Sequence, residues 1–392
     1  MSNLNIIVVG GGLAGLTASL ALQSFGFDVT ILESKKKKEE IHAGVQISPN
    51  ATVVLNKLGL KSNIDKIANV PQNLQLRNWE NGETIFNQSF KSMLESKSSS
   101  YLLINRYDLL NILQKKFGEK KIIYGATCKK INLKNNKVTL TTKNKKVFTA
   151  DLVIAADGMN SLIKDKYFIK SPPIFSGIFC FRGSFPISRI KKLKIKNNVM
   201  VWLGPNKHFV NYLISSGKKI NIVGFLQNKK LLNASYKENM KKLFYREFTN
   251  WHMTPKSLIN SSDNIIGYPI YFCKPLPFWF KKKIVLLGDA AHGILPFQAQ
   301  GLSQSIEDSY VLAKCLAFNT GSLSVALKDY EIKRKNRLKI IEKISFNNKK
   351  IFHFKSSILT NIRDFTLKKI QNSSKIGIKG MQNWIYGYDV TK

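Results

Sequence analysis

The residues best placed to do chemistry fall into three clusters, and the first is a glycine turn. Gly10, Gly12 and Gly15, with Leu13 and Ala14 inside the last interval, follow an apolar run at residues 4–9 and precede a helical pattern at residues 16–25. A glycine at the first position permits a tight turn, one at the second lets backbone approach a pyrophosphate, and one at the third lets the helix pack on a sheet. The helix start then offers unpaired N–H groups and the positive end of its dipole to phosphate. Glu33 follows the next apolar run, residues 29–32, where a carboxylate can accept from ribose hydroxyls. Glycine spacing alone is a weak signal and fits a ligand-free turn. With strand, helix and acid all in place it predicts a dinucleotide site.

The second cluster is Asp157 and Gly158, closing the apolar run at residues 151–155 and followed by Asn160 and Ser161. A strand ending in Asp-Gly sets a carboxylate and open backbone at the edge of a parallel sheet where ligands bind, although the same pair makes ordinary turns. The third cluster is Asp289, then His292, Pro296, Gly301, Leu302 and Ser303, after an apolar run at residues 283–287. A strand-end Asp can bind a polyol, and a helix beginning at Gly301 can stabilise negative charge on a bound ring. Asp289 alone reads equally well as a cap.

The elements that must position these clusters can be read from period. Residues 4–9, 29–32, 151–155 and 283–287 are continuous apolar runs, the pattern of buried parallel strands. Helices are expected at residues 48–58, opening at Pro49, at 107–116 and at 302–317. Residues 122–142 alternate between Lys-Asn turns and predict a small antiparallel ribbon. From 175 to 272 the texture is short strands punctuated by Gly, Pro and Asn, with one helix at 237–248. The reading is an α/β Rossmann-like domain in three pieces (1–75, 98–172 and 275–330), an interleaved sheet-rich substrate domain (76–97 and 173–274) and a helical C-terminal segment (331–392).

The 392 residues suffice for a large core. The chain carries 62 Lys and Arg against 24 Asp and Glu, a formal net charge of +38. That charge attracts anions, but the lysines are spread and no basic run is interleaved with aromatics as a nucleic-acid groove needs, so no nucleic-acid partner is expected. Cys128, Cys180, Cys273 and Cys315 are far apart, which argues against zinc or a disulfide framework and suits a reducing, cytoplasmic setting. No secretory signal or membrane span is read. Peripheral membrane contact stays open, without a clean amphipathic stripe in view.

The three clusters, in this order and at these separations, resemble the class A single-component FAD-dependent aromatic hydroxylases. Residues 42–51, 105–110, 202–205 and 384–389 are similar to the salicylate hydroxylase and 3-hydroxybenzoate 6-hydroxylase branch. The likeness implies FAD as cofactor, NAD(P)H and O2 as co-substrates, and hydroxylation of a small aromatic acid through a flavin C4a-hydroperoxide, by a monomer or homodimer. It implies that Gly10, Gly12, Leu13, Ala14, Gly15 and Glu33 hold the ADP half, that Arg106 contacts the pyrophosphate region and that Asp157 and Gly158 lie near FAD and the nicotinamide. Asp289 would hold the ribityl chain. The backbone of Gly44, Val45, Gly301, Leu302 and Ser303 would flank the flavin ring, with Pro296 beside it.

A base near a phenol makes its ring more nucleophilic. His208 and Tyr212, four apart on one strand face, are the catalytic candidates, and the branch shows a similar pair. The alternative is a solvated His208 in the turn after Pro205. His292 reads as support for Asp289. Gly293 stands where relatives often carry Pro, which loosens the loop, and His42 stands where some carry an Arg that senses the flavin. Other functions in view are a hydroxylase of a quinone-precursor ring, a non-oxygenating flavin reductase or dehydrogenase, and an idle FAD-binding protein.

Overall fold

The computed structural model describes all residues except 1–3, 37–42, 94–98, 135, 192, 234–238, 320 and 373–375. The continuous apolar runs become strands covered on both faces. Asn5–Val9 pairs in parallel with Leu152–Ala155 on one side and Asp28–Leu32 on the other, and Ile284–Leu286 adds beyond Leu152–Ala155. Ile122–Ile123 and an antiparallel edge strand, Phe280–Lys281, complete six strands. The three distant segments therefore share one sheet. Because its core strands are parallel, Gly10, Asp157 and Gly288 leave it at the same edge, and the helices Leu13–Ser24 and Gly301–Phe318 pack on each other beside it.

One expectation is corrected here. Ile122–Ile123 is not part of the antiparallel ribbon: it joins the main sheet in parallel with Asp28–Leu32, and the ribbon is Cys128–Lys134, Lys137–Thr142 and Val147–Ala150. Two adjacent isoleucines carry no alternation, and Ile122 is buried in the main core instead. A helix that the sequence reading omitted, Met253–Asn260, follows the first one in the insert, Met240–Glu247. It is capped by His252, whose ring accepts from the Thr254 N–H, and carries Pro255 in its first turn.

The second sheet has seven strands, in the order Ile266–Phe272, Ile174–Pro186, Lys219–Gln227, Lys207–Ile214, Asn198–Gly204, Asn73–Asn78 and Thr84–Ser89. Alternation gives it two apolar faces. Phe181, Phe209 and Trp202 point to the side covered by Phe244 and Phe248 of the insert helices. Val210, Tyr212 and Phe225 point the other way, toward Leu295 and Phe297. A short ladder, Gly44–Ile47 with Leu102–Asn105, packs against the strand Lys207–Ile214 and the helix Gly301–Phe318.

The helix Leu323–Phe352 ties the layers together. Its Ser345 and Asn348 donate to the carbonyls of Leu295 and Phe297 at 2.7 and 3.2 Å. Its Arg334 meets Asp308 at 2.6 Å and also bonds Glu307, which Arg337 meets at 2.8 Å. Removing one partner from a buried network of this kind costs about 3–5 kcal/mol. The network fixes the helix that begins at Gly301.

Candidate active site

The glycine turn has the geometry that its spacing implied. Gly10 has φ +110°, and a Cβ there would lie 2.3 Å from the Ala156 carbonyl oxygen. A Cβ on Gly15 would lie 1.9 Å from the Gly10 carbonyl oxygen, so helix and turn touch through bare backbone. A Cβ on Gly12 would meet nothing within 4 Å. Gly12 therefore opens on space where Gly10 and Gly15 do not. That space is a cleft of about 380 Å³ whose walls include Gly10, Gly12, Glu33, Cys128, Asp157 and Asn160. Glu33 accepts from the Gly11 N–H at 2.7 Å and the Lys35 N–H at 2.8 Å, which pins it to the turn and leaves lone pairs toward the cleft. Leu13 and Ala14 form the first turn of the helix behind it.

At the neighbouring strand end, Asp157 Oδ1 is buried and has no partner. Burial raises its carboxyl, with a hydrogen bond from Ser161 opposing. A buried acceptor without a donor marks where a ligand hydroxyl or N–H belongs. Gly158, at φ +82°, has open space where a side chain would be. Asp289 is exposed although protein surrounds it closely. Burial pushes its carboxyl up and Asp308 adds to that, while His292 and Arg106 pull it down. His292 is held by Asp308 at 2.5 Å, with its ring beside Trp279; the carboxylate it bonds is Asp308, not Asp289.

Arg106 begins the helix Arg106–Phe117, where Asn105 caps by accepting from the Tyr107 N–H. A cation there faces the unfavourable end of the dipole. Burial and Arg182 lower its guanidinium, and Asp289 opposes them. Gly44 donates to Asn221 Oδ1 at 2.7 Å and accepts from Arg182 Nη2 at 2.5 Å. A Cβ on Gly44 would collide with Asn221 and with Tyr212 Cε2, 2.8 Å away. Val45 follows it, half-buried. Ser303 Oγ accepts from the Ser48 N–H and hydroxyl at 3.2 and 2.8 Å, which joins the start of the Gly301–Phe318 helix, with Leu302, to the Gly44–Ile47 strand. Pro296 is exposed while its neighbours Leu295 and Phe297 are buried. These residues fit FAD: an open glycine turn and an orphaned buried carboxylate oxygen share one cleft with Glu33, and an exposed Asp follows the neighbouring strand.

His208 and Tyr212 share one face of the strand Lys207–Ile214, separated by about 13 Å of chain. His208 is not in the solvated turn: it is 3% exposed. Its ring stacks on Phe225 at 4.5 Å, and its Nδ1 lies 2.7 Å from Nε2 of His353. Burial, then His353 and Arg363, hold it well below the usual histidine range. Tyr212 lies instead beside Gly44 and Arg182. His42 falls outside the described residues. Gly293 packs tightly, accepting from the Cys273 N–H at 2.8 Å, and a Cβ there would meet Met159 at 2.8 Å. The loop is pinned, not loosened.

The sequence reading missed Arg182, Asn221, Tyr268 and His353. Burial works against the Arg182 charge, but Tyr268, Tyr212 and Cys180 outweigh it and raise its affinity for the proton. Among the described residues its Nη atoms donate to the Tyr268 hydroxyl and the Gly44 carbonyl, no carboxylate pairs with it, and its Nε has no partner. The Nδ2 of Asn221 is likewise buried and unpaired.

A family model described as an FAD binding domain matches residues 3–345. The chain belongs to that family. FAD is its cofactor, reduced nicotinamide its co-substrate, and the enzyme is an FAD-dependent aromatic-ring monooxygenase. It is 28% identical to 6-hydroxynicotinate 3-monooxygenase of Pseudomonas fluorescens over 350 residues, 88% of this chain and 90% of that one. It is 24% identical to 3-hydroxybenzoate 6-hydroxylase of Klebsiella oxytoca, over 97% and 96% of the two chains. The crystal structure of Klebsiella pneumoniae HpxO complexed with FAD and uric acid shares its fold, with a TM-score of 0.87 at 21% identity over 97% and 96% of the chains. Among the described residues no helix is long and apolar enough to cross a membrane.

Proposed function

We propose that this monooxygenase hydroxylates a small aromatic ring carrying both a carboxylate and a hydroxyl, a hydroxybenzoate or its pyridine counterpart. One observation carries the reading: Arg182 is a half-buried guanidinium beside Gly44, its Nε buried without a partner and no carboxylate among the described residues neutralising it. An unpaired buried charge costs several kcal/mol, and a guanidinium matches a carboxylate with two parallel hydrogen bonds. A substrate carboxylate supplies the missing partner. The relatives named for 6-hydroxynicotinate and 3-hydroxybenzoate take substrates of this kind.

Bound FAD supplies hydride acceptance from NAD(P)H and activation of dioxygen. The protein's part is to hold FAD through Gly12, Glu33, Arg106, Asp157 and Asp289, with Gly44, Val45 and the Gly301–Ser303 turn against the ring. Residues 76–97 and 173–274 form the substrate layer, and its apolar face keeps water from the reacting ring. Arg182, Tyr268 and Asn221 orient the acid.

His208 governs the substrate hydroxyl, and His353 positions it. One proton lies between His208 Nδ1 and His353 Nε2, and His353 Nδ1 is buried without a partner. Were His208 the donor, His353 would bury an orphan N–H. With His353 as donor it buries only an orphan lone pair, the cheaper arrangement. His208 then carries its single ring proton on Nε2; a substrate bound as the phenolate, its proton left in solvent, accepts a hydrogen bond from that N–H and keeps an ionised, nucleophilic ring.

The test is a panel of hydroxylated and plain aromatic acids, given to the FAD-loaded enzyme with NADH or NADPH, recording oxygen uptake and product mass. The proposal expects one hydroxylated product from a hydroxy acid. Oxidation of NAD(P)H without any hydroxylated product would favour a reductase, and turnover only of a large uncharged ring would favour a quinone-precursor hydroxylase.

A further inference from the structure

The helix Ser357–Asn372 presents an apolar face that nothing among the described residues covers. Ile358, Ile362 and Phe365 are 69%, 55% and 60% exposed, and Leu359 is 44% exposed. At 100° per residue, Ile358, Ile362, Phe365 and Lys369 fall within about 60° of one another, a single stripe along the helix. Isolated exposed apolar residues need no explanation, but four large ones on adjoining turns mark a contact surface.

The helix is firmly seated by its other side, so the stripe is not the by-product of a loose element. Arg363 and Asp364 are buried and paired at 2.7 Å, Asp364 accepts from Asn78 at 3.2 Å, and Lys368 meets Glu83 at 2.7 Å. These contacts bind it to the substrate layer, and the stripe faces away from them.

Charge decides what kind of surface it meets. Between Lys349 and Asn372 the chain carries six Lys and Arg and a single acidic residue, Asp364. Lys355 and Lys369 are exposed at the two ends of the stripe, and the Lys369 ammonium lies over the Phe365 ring at 4.8 Å. Long lysine stems can follow apolar side chains inward while the ammonium stays at the level of lipid headgroups. A second copy of this chain would bring the same positive charge to the same face, and the whole molecule carries +38. An anionic bilayer offers an apolar interior beneath negative headgroups, and a helix of this pattern lies in that interface.

We propose that the helix Ser357–Asn372 docks the enzyme on an anionic membrane surface, with Ile358, Leu359, Ile362 and Phe365 inserted among the acyl chains and Lys355 and Lys369 at the phosphates. The contact is peripheral and reversible. It stands apart from the substrate assignment, because none of these residues contributes to the pocket.

The experiment uses the full-length FAD-loaded enzyme in flotation assays with phosphatidylcholine vesicles and with vesicles of equal phosphatidylcholine and phosphatidylglycerol, at about 0.1 M salt, where charge attraction still reaches about 10 Å. The wild type floats with the anionic vesicles at least about tenfold better than with the neutral ones. The double variant Ile358→Glu and Phe365→Glu loses that binding by about tenfold or more, because two anchors become charges, and keeps its flavin absorbance and turnover. A second variant, Lys355→Glu with Lys369→Glu, loses the preference for anionic lipid. Equal flotation with both vesicle types, or undiminished binding of the Glu pair at Ile358 and Phe365, overturns the proposal. So does a wild-type dimer that these substitutions convert to monomer, since the stripe would then be a subunit interface.

Discussion

The cofactor cradle and the substrate face are built in opposite ways. The cradle is made of backbone: Gly10, Gly12 and Gly15 act by lacking side chains, Gly10 and Gly15 because backbone lies against them and Gly12 because it leaves the cleft open. The substrate face is made of side chains from distant strands, where Arg182 from one strand reaches Gly44 of another ladder and His208 meets His353 across 145 residues of chain. A site of the first kind fails when an atom is added. A site of the second kind fails when a partner is removed, and by a smaller amount.

The sharpest way to break that contrast is to add a methyl group twice. Gly15→Ala places a Cβ 1.9 Å from a backbone oxygen and should prevent stable folding, seen as loss of soluble protein or of a cooperative thermal transition. Gly12→Ala meets nothing within 4 Å. It should keep the apoprotein's thermal transition and weaken FAD binding by about 100-fold, because the methyl occupies the pyrophosphate approach. If both variants bound FAD normally, the backbone account of the cradle would fail.

On the side-chain face, His208→Gln should retain FAD and slow hydroxylation by about 100-fold, within the range for a proton-handling group. His353→Phe should slow it by about tenfold, the usual penalty for losing a residue that orients another. Its signature is rescue: His353→Gln, whose amide can still donate to His208 Nδ1, should recover most of the loss and restore the pH profile that the Phe variant shifts. The groups around the pair that bear on this profile are Lys349 and Arg363, both of which disfavour charge on His353, with Asp364 paired to Arg363. Equal loss in the Gln and Phe variants would reduce His353 to packing.

The smallest expected effect is on stability in acid. Burial holds His208 well below the usual histidine range, and burial, Lys349 and Arg363 bring His353 down to about 3. Both rings are therefore neutral in the fold, while the unfolded chain protonates them below about pH 6.5. The unfolded state then binds more protons, so stability is full above that pH and falls as pH drops toward about 3. The slope approaches about 1.4 kcal/mol per pH unit for each ring. In acid titrations monitored by denaturant unfolding, His353→Phe should show a shallower decline than wild type between pH 6 and 4. An unchanged slope would mean that the ring is solvated.

The same division decides what the sequence disclosed. Three distant segments could be assigned to one sheet because residues 6–9, Leu152–Ala155 and Ile284–Leu286 are each apolar throughout, a signature that needs no knowledge of the partner strand. Ile122–Ile123 is too short to show a period, and its pairing emerges only with the sheet. Glu33, Asp157 and Asp289 were legible because each closes an apolar run at the ligand edge. Arg182 sits among Phe181 and Gly183 in an apolar strand, and only the neighbouring strands reveal that its charge has no counterpart. His353, at the end of a lysine-rich helix, reads as solvated until the chain brings Phe297 and His208 against it. The Arg334 and Arg337 network was hidden for the same reason: its carboxylates lie on a separate helix.

The unpaired guanidinium is the claim on which the substrate assignment rests, and matched ligands test it directly. Hydroxylated aromatic acids and their neutral amides would be titrated into the FAD-loaded wild type and Arg182→Gln, following the perturbation of flavin absorbance. The acids should bind wild type about 100-fold more tightly than the amides, and that preference should collapse in the Arg182→Gln variant, as expected for about 3 kcal/mol from one buried charge pair. Amides that bind wild type as well as the acids do, or a preference that survives the loss of Arg182, would contradict the account.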